Sequence, residues 1–277
     1  MAGKMRISII TPSYNLARFI ARTIDSVISQ AGDFELEYLV IDGGSTDGTL
    51  DLLKKYQQDL LDGTIEPRCA GLNFRWMTEK DRGQSEAINK GLRMAGAEVV
   101  AYLNADDLLA PGCLQRVRNF FNLHPAQQLV TGRCRMVDED GREIRKAITG
   151  YKNLLLKYPS FNNLLKENFI SQPATFWRRE LHREVGYFDE SLHFAMDYDM
   201  WCRIASRYRI NVLKEHLADF RWHRRSKSGS NFTAQFDEEY RIALRYLSRR
   251  PLLRLVHRLN RLKIIGIYRL LALAGGL

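Results

Sequence analysis

Apolar residues in the first hundred positions come in short runs separated by segments of helical period. Ile7-Ser8-Ile9-Ile10 reads as a buried strand, ended by Thr11-Pro12-Ser13-Tyr14-Asn15. From Phe19 to Ser29 the positions Ile20, Ile24, Val27 and Ile28 share one helical face. Tyr38 to Ile41 predicts a second strand and Thr49 to Tyr56 a second helix. Phe74 to Met77 is a third strand, Gln84 to Met94 a helix opened by Gly83, and Val99 to Leu103 a fourth strand. Strand and helix alternate at βαβ spacing, which predicts an α/β fold with a mostly parallel sheet wound with helices.

Beyond Pro111 the alternation loosens. Leu114 to Phe121 has helical period, and Leu129 to Val137 reads as a strand turned by Asp138-Glu139-Asp140-Gly141. Residues 150–170, aromatic and Asn-rich without clear period, read as loops covering a cleft. Asp197 to Arg207 is a helix. Near the end, Leu252, Leu255, Val256, Leu259 and Leu262 form an apolar stripe, with Arg250, Arg254, Arg258 and Arg261 off it. This is the pattern of a basic amphipathic helix on an anionic membrane. The alternative is a terminal helix packed on the body or a partner, with its arginines in solvent. The chain divides by this reading into a catalytic unit over residues 1–235 and a helical extension over 236–277.

Composition changes this picture in one place. The net charge is +10 over 277 residues, but residues 241–277 hold nine Lys/Arg and no Asp or Glu. The basicity belongs to the tail, which weakens any reading of the whole chain as a nucleic-acid binder. The scattered Cys69, Cys113, Cys134 and Cys202 form no C-x-x-C pair, so free thiols in a reducing compartment are expected rather than zinc. No apolar leader precedes the first strand and no run reaches about 18 apolar residues. A cytoplasmic protein, peripheral on the inner face of the membrane, is the expectation.

The candidate chemistry lies at strand ends, where open α/β sheets place their ligands. Leu103-Asn104-Ala105-Asp106-Asp107 follows the fourth strand. A departing nucleoside diphosphate gathers negative charge, which a Mg²⁺ or Mn²⁺ ion held by one or two carboxylates neutralises. Asp106 is the best ligand, with Asp107 direct or through water; the pair is also what a helix cap looks like. Asp42, ending the second strand before Gly43 and Gly44, is suited to accept from a base N–H or to fix a loop. Arg82, ahead of a helix N-terminus, is suited to a diphosphate or base, or is an exposed residue beside a cap. Asp197 is the candidate general base for an acceptor hydroxyl, or else an acidic helix start. His223, in a basic loop, would complete a metal shell, touch the diphosphate, or be structural.

Taken together, Ser8 to Asn15, Ile41 to Thr49, Asp81 to Gly91, Leu103 to Asp107, Phe188-Asp189-Glu190 and Asp197-Tyr198-Asp199 closely resemble glycosyltransferase family 2 over roughly residues 6–230. The resemblance implies a GT-A fold and inverting transfer from a UDP-, GDP- or dTDP-sugar. It implies Pro12, Tyr14 and Asp42 around the base, Arg82 near the base or phosphate, and a metal on Asp106; Thr11 and Asn104 are expected to complete the nucleotide-sugar site, and Asp107 and His223 the metal shell. Asp197 would be the base, and Gln172 would face the acceptor. Two departures stand out. The family's Asp-x-Asp reads Asn104-Ala105-Asp106, leaving one strong carboxylate ligand. The Glu that commonly precedes the base is Met196, which should ease the ionisation of Asp197.

The expected function is synthesis of a bacterial surface polysaccharide on a glycan or polyprenyl-linked acceptor at the membrane. A sugar-1-phosphate nucleotidyltransferase would need a glycine-rich basic loop after the first strand, unlike Thr11 to Asn15. A dinucleotide oxidoreductase lacks G-x-G-x-x-G after a strand. A non-catalytic scaffold conflicts with intact Asp42, Asp106 and Asp197. No nucleic-acid-reading motif accompanies the tail, and oligomerisation through it stays open.

Overall fold

The computed structural model describes residues 4–223 and 232–273, the second stretch with side chains over 233–267. The basic stretch Arg224 to Ser228 and the Arg269 side chain lie outside the described residues. Eight strands form one sheet: β1 (Arg6–Ser13), β2 (Gly32–Asp42), β3 (Cys69–Thr78), β4 (Val99–Tyr102), β5 (Leu108–Leu109), β6 (Leu129–Val137), β7 (Thr175–Arg178) and β8 (Asn211–Arg221). The helices are α1 (Ala17–Ile28), α2 (Thr49–Leu61), α3 (Gln84–Met94), α4 (Cys113–Leu123), α5 (Lys146–Leu155), α6 (Phe161–Lys166), α7 (His182–Val185), α8 (Met196–Ala205), α9 (Phe232–Leu247) and α10 (Pro251–Leu273).

The sheet order is β3-β2-β1-β4-β7-β6-β8-β5. The first four strands are parallel, as the βαβ spacing predicts. The other half is mixed: β7 runs antiparallel to β4 and β6, β5 antiparallel to β8, and β6 parallel to β8. The order reverses at β1, whose neighbours are β2 and β4. The ends of β1 and β4 therefore flank the crevice where such sheets bind ligands.

β1 continues through Thr11-Pro12-Ser13 rather than ending at Ile10. These residues pair only with β2, because β4 stops opposite Ile10. Pro12 lacks an N–H and is tolerated where the strand has one open side. Gly91 lets α3 lie close on the sheet: a Cβ there would sit 2.4 Å from Ile10 Cγ2 and 3.2 Å from Ile41 Cγ1.

Residues 150–170 are not loops but α5 and α6 with their connection. A six-residue helix offers too little periodicity to be seen in sequence. Its signals are the Ser160 cap, whose Oγ accepts the Asn163 N–H at 3.2 Å, and the buried pair Leu164 and Leu165.

The boundary expected between 235 and 236 falls inside α9. Glu238 accepts the backbone N–H groups of His193, Phe194 and Ala195 at 3.2, 2.6 and 2.7 Å, just ahead of α8. Arg245 reaches buried Asp199 at 2.8 Å. α10 docks through His257, whose Nδ1 lies 2.7 Å from the Leu165 carbonyl, and through Asn260, which donates to Lys166 O at 3.2 Å. Leu253 and Ile265 pack inward and Val256 is half-buried, but the four leucines of the apolar stripe face outward. Leu252, Leu255, Leu259 and Leu262 are 73, 53, 56 and 54 % exposed. Among the described residues no helix is long and apolar enough to cross a membrane.

Candidate functional site

A cleft of about 1350 Å³ opens along the C-terminal ends of β1 and β4, and Pro12, Tyr14, Asn104, Asp106, Gln172, Asp197 and His223 all line it. Two loops shape one side of it. Asn15, at φ 52°, accepts the Thr46 N–H at 2.8 Å, and its own N–H donates to Ser45 Oγ. Tyr14 stands 62 % exposed at the rim.

Asp42 is fully buried and is not part of the lining. Its Oδ1 accepts from the Gly44 and Ser45 N–H groups and from Thr78 Oγ1, and its Oδ2 from Ser45 Oγ. Of the two roles open to it from sequence, the loop-fixing one is visible here. A Cβ at Gly43 would meet Asp81 Oδ2 at 2.6 Å, so a larger residue there would displace that carboxylate. Asp81 lines the cleft there, and burial raises its pKa. Thr11 is buried too, its hydroxyl 3.2 Å from Tyr38 Oη, so it supports the sheet rather than facing a ligand.

Arg82 does not reach into the cleft. Its side chain bonds Glu86 at 2.9 Å and Glu190 at 2.8 Å on the outer surface. The sequence showed its helix-start position but not these two acidic neighbours.

The residues after β4 divide by direction. Asp106 Oδ2 lies 3.0 Å from His223 Nε2, and the His223 ring stacks on Phe19 at 4.8 Å between centroids. Asp107 is turned away, contrary to its expected metal role. Fully buried, it accepts the Arg221 N–H at 2.8 Å and Asn104 Nδ2 at 3.1 Å. Burial and the neighbouring Asp106 charge push its carboxyl well up. Asn104 holds the floor: it accepts from Gln84 Nε2 at 2.6 Å and donates to Gln172 Oε1 at 3.3 Å. Gln172 in turn donates to the Tyr102 carbonyl at 2.6 Å, so the residue expected on the acceptor side also braces Asn104.

The donor set suits a hard cation only in part. Asp106 and His223 converge, while among the described residues no group of three or more His, Cys, Asp or Glu side chains does so. Two protein ligands are enough where the substrate's own phosphates complete the shell.

Asp197 opens α8, and its Oδ1 accepts the Tyr198 N–H at 2.7 Å. Burial raises its pKa, with Glu238 adding in the same direction and Lys152 opposing. Met196 places no further negative charge beside it, so burial is the largest influence on its ionisation. The wall beyond Asp197 was not legible from sequence. It is built by Ile148 and Lys152 of α5, Gln235 and Glu239 of α9, and Lys263 and Ile267 of α10. Lys263 bonds Tyr151 Oη at 3.0 Å, tying α10 to α5 across this wall. These residues carry no motif; the helical period of 232–247 is the one signal that could have flagged them.

Comparison with known proteins agrees with this geometry. The family described as Glycosyl transferase family 2 matches residues 8–186, and Glycosyl transferase family group 2 matches residues 99–275. An uncharacterized glycosyltransferase from Nostoc sp. is 28 % identical over 243 residues, covering 85 % of this chain and 70 % of its own. A PGL/p-HBAD biosynthesis glycosyltransferase from Mycobacterium bovis is 31 % identical over 219 residues, covering 78 % and 76 %. The chain spans only 36 % of an uncharacterized Rickettsia felis glycosyltransferase. Among solved structures, S. aureus TarS 1-349 in complex with UDP-GlcNAc aligns with TM-score 0.65 at 21 % identity, over 88 % of this chain and 67 % of that one. Mannosyltransferase PcManGT from Pyrobaculum calidifontis, in complex with GDP-Man and Mn²⁺, aligns with TM-score 0.64 at 19 % identity, over 99 % and 80 %. The strand order, the crevice at β1 and β4 and the match over most of the chain agree: this is a GT-A-fold enzyme that belongs to glycosyltransferase family 2.

Proposed function

We propose that the chain transfers a sugar, with inversion, from a UDP-, GDP- or dTDP-sugar to a hydroxyl of a lipid-linked glycan acceptor. The observation that carries this reading is one continuous cleft with the Asp106–His223 pair on one side and Asp197 on another. The named ligands of the solved neighbours, UDP-GlcNAc and GDP-Man, support a nucleotide-sugar donor.

In this reading Pro12 and Tyr14 contact the base, with Asn104 held for a ribose or sugar hydroxyl. Asp106 and His223 would hold a Mn²⁺ or Mg²⁺ ion, which when bound supplies charge neutralisation to the leaving diphosphate. Asp197 takes the proton from the acceptor hydroxyl as that oxygen attacks the anomeric carbon from the face opposite the diphosphate. Its raised pKa makes it a stronger base than a solvated carboxylate, at the cost of needing a higher pH to ionise. The apolar Ile148, Ile264 and Ile267 beside Lys152 and Lys263 suit an amphiphilic acceptor with anionic groups. The exposed leucines of α10, flanked by exposed Arg254 and Arg258, suit an anionic bilayer at the cytoplasmic face of the membrane.

The test is thermal shift against UDP, GDP, dTDP and CMP, each with and without Mn²⁺. A Mn²⁺-dependent rise for one diphosphate is expected and names the nucleotide half of the donor. No shift with any of them defeats the donor assignment.

A further inference from the structure

Met196 removes the acidic residue expected next to Asp197 in sequence, yet a second carboxylate stands in the same cleft wall. Glu239 of α9 lines the cleft with Asp197 and is only 7 % exposed. Its place is fixed from both sides. One residue before it, Glu238 clasps the backbone ahead of α8. Six residues after it, Arg245 holds Asp199 of α8 at 2.8 Å. Glu239 Oε1 accepts from Gln235 Nε2 at 3.2 Å, and the Asn168 side chain also bonds this carboxylate.

The charged and titratable groups facing Glu239 come from every element around it. α8 contributes Asp197, Tyr198 and Cys202, α5 contributes Lys152, and α9 itself Glu238. His193, Glu167 and Lys263 lie further round the same lining. Burial keeps Tyr198 and Cys202 neutral near pH 7. Asp197 and Glu239 are the carboxylates that α8 and α9 bring to this stretch of the cleft lining.

Resting on the glycosyltransferase reading above, we propose that Glu239 is the proton-relay partner of Asp197, taking on the acceptor's proton after each transfer. The bookkeeping closes on groups already in place. The acceptor O–H breaks and its proton goes to Asp197. The acceptor oxygen bonds the anomeric carbon, whose bond to the diphosphate breaks with the electron pair leaving on the phosphate oxygen. Asp197 then passes its proton to ionised Glu239, which releases it to solvent. Glu239 touches no reacting atom; it is a positioning residue that acts through Asp197. Burial, then the Asp197 charge, raise its pKa to about 7, so it binds the proton more firmly than a solvated carboxylate yet gives it up near neutrality.

The experiment measures release of UDP from UDP-GlcNAc and of GDP from GDP-mannose, with Mn²⁺ and water as acceptor, in wild type, Glu239→Gln, Glu239→Asp and Asp197→Asn between pH 5.5 and 8.5. Wild-type kcat should rise with pH through about 7. Glu239→Gln should lose that limb and roughly tenfold to a hundredfold in kcat with donor KM kept, and Glu239→Asp should restore part of both. A wild-type profile flat across pH 7 overturns the relay. So does Glu239→Gln with the limb intact, even if its kcat and melting temperature fall, since that marks a packing role. If Asp197→Asn is inactive while Glu239→Gln is normal, only the relay fails. If Asp197→Asn is active, or wild type releases neither nucleotide and also no dTDP from dTDP-glucose, the reading of the site fails and takes the relay with it.

Discussion

Asp106 Oδ2 and His223 Nε2 lie 3.0 Å apart although 117 residues separate them in the chain. The end of β4 carries one and the end of β8 the other, and stacking on Phe19 fixes the imidazole plane. Asp106→Ala and His223→Ala should each weaken Mn²⁺-dependent nucleoside diphosphate binding at least tenfold by calorimetry. Asp107→Ala should instead lower stability by about 1–3 kcal/mol, because it strands the buried Arg221 N–H. Equal effects of Asp106→Ala and Asp107→Ala on metal binding would reject this division.

Asp197→Asn keeps the size of the side chain and removes its basicity. Turnover should fall at least a hundredfold while donor affinity stays within about threefold. Near-normal kcat in that variant would remove Asp197 from its role.

Glu239 also makes a prediction about stability that is independent of catalysis. Its pKa is raised in the fold from 4.5 to about 7, so the folded state binds the proton more tightly than the unfolded chain. Stability is therefore lost as pH rises through that window. Glu239→Gln removes the titrating group and should be the more stable protein at pH 8 by about 3 kcal/mol. The gap should close near pH 4.5. Denaturant melts of the two proteins at both pH values measure this; a pH-independent difference contradicts the buried titration.

Gly91→Ala sets two effects against each other. Alanine gains up to about 1 kcal/mol of helix propensity in α3. Its Cβ would meet the buried, β-branched Ile10 at 2.4 Å, and overpacking costs about 1–3 kcal/mol. The net change should be destabilising, and a chemical denaturation curve with a raised midpoint would refute it.

Leu255→Glu with Leu259→Glu should abolish sedimentation with anionic liposomes and leave the melting temperature within a few degrees, since both side chains point away from the body. Cosedimentation equal to wild type would defeat the membrane reading.

Much of the cleft lining was legible because strand ends are visible in sequence. Asn104 and Asp106 after β4, and Pro12 and Tyr14 at the end of β1, were singled out that way and line the cleft; Asp197, near the start of α8, lines it too but was singled out as an acidic helix start. Arg82, Asp42, Thr11 and Asp107 were misjudged or left open for one reason. A residue's neighbours in space, such as Glu190 for Arg82 and the Arg221 N–H for Asp107, are remote in sequence. The parallel half of the sheet was readable from βαβ spacing, whereas β7, β5 and β8 pair across long separations that leave no local period. The outward leucines of α10 leave its docking to the other side of the helix, where Leu253 and Ile265 pack and His257 and Asn260 hydrogen-bond.

The clasp of Glu238 joins two parts of the cleft that lie far apart in the chain. Three backbone N–H groups ahead of α8 are satisfied by one carboxylate of α9. A change that draws α9 away would therefore strand those donors beside Asp197 and, in the same movement, take Gln235 and Glu239 out of the lining. The wall and the turn that carries Asp197 behave as one mechanical part.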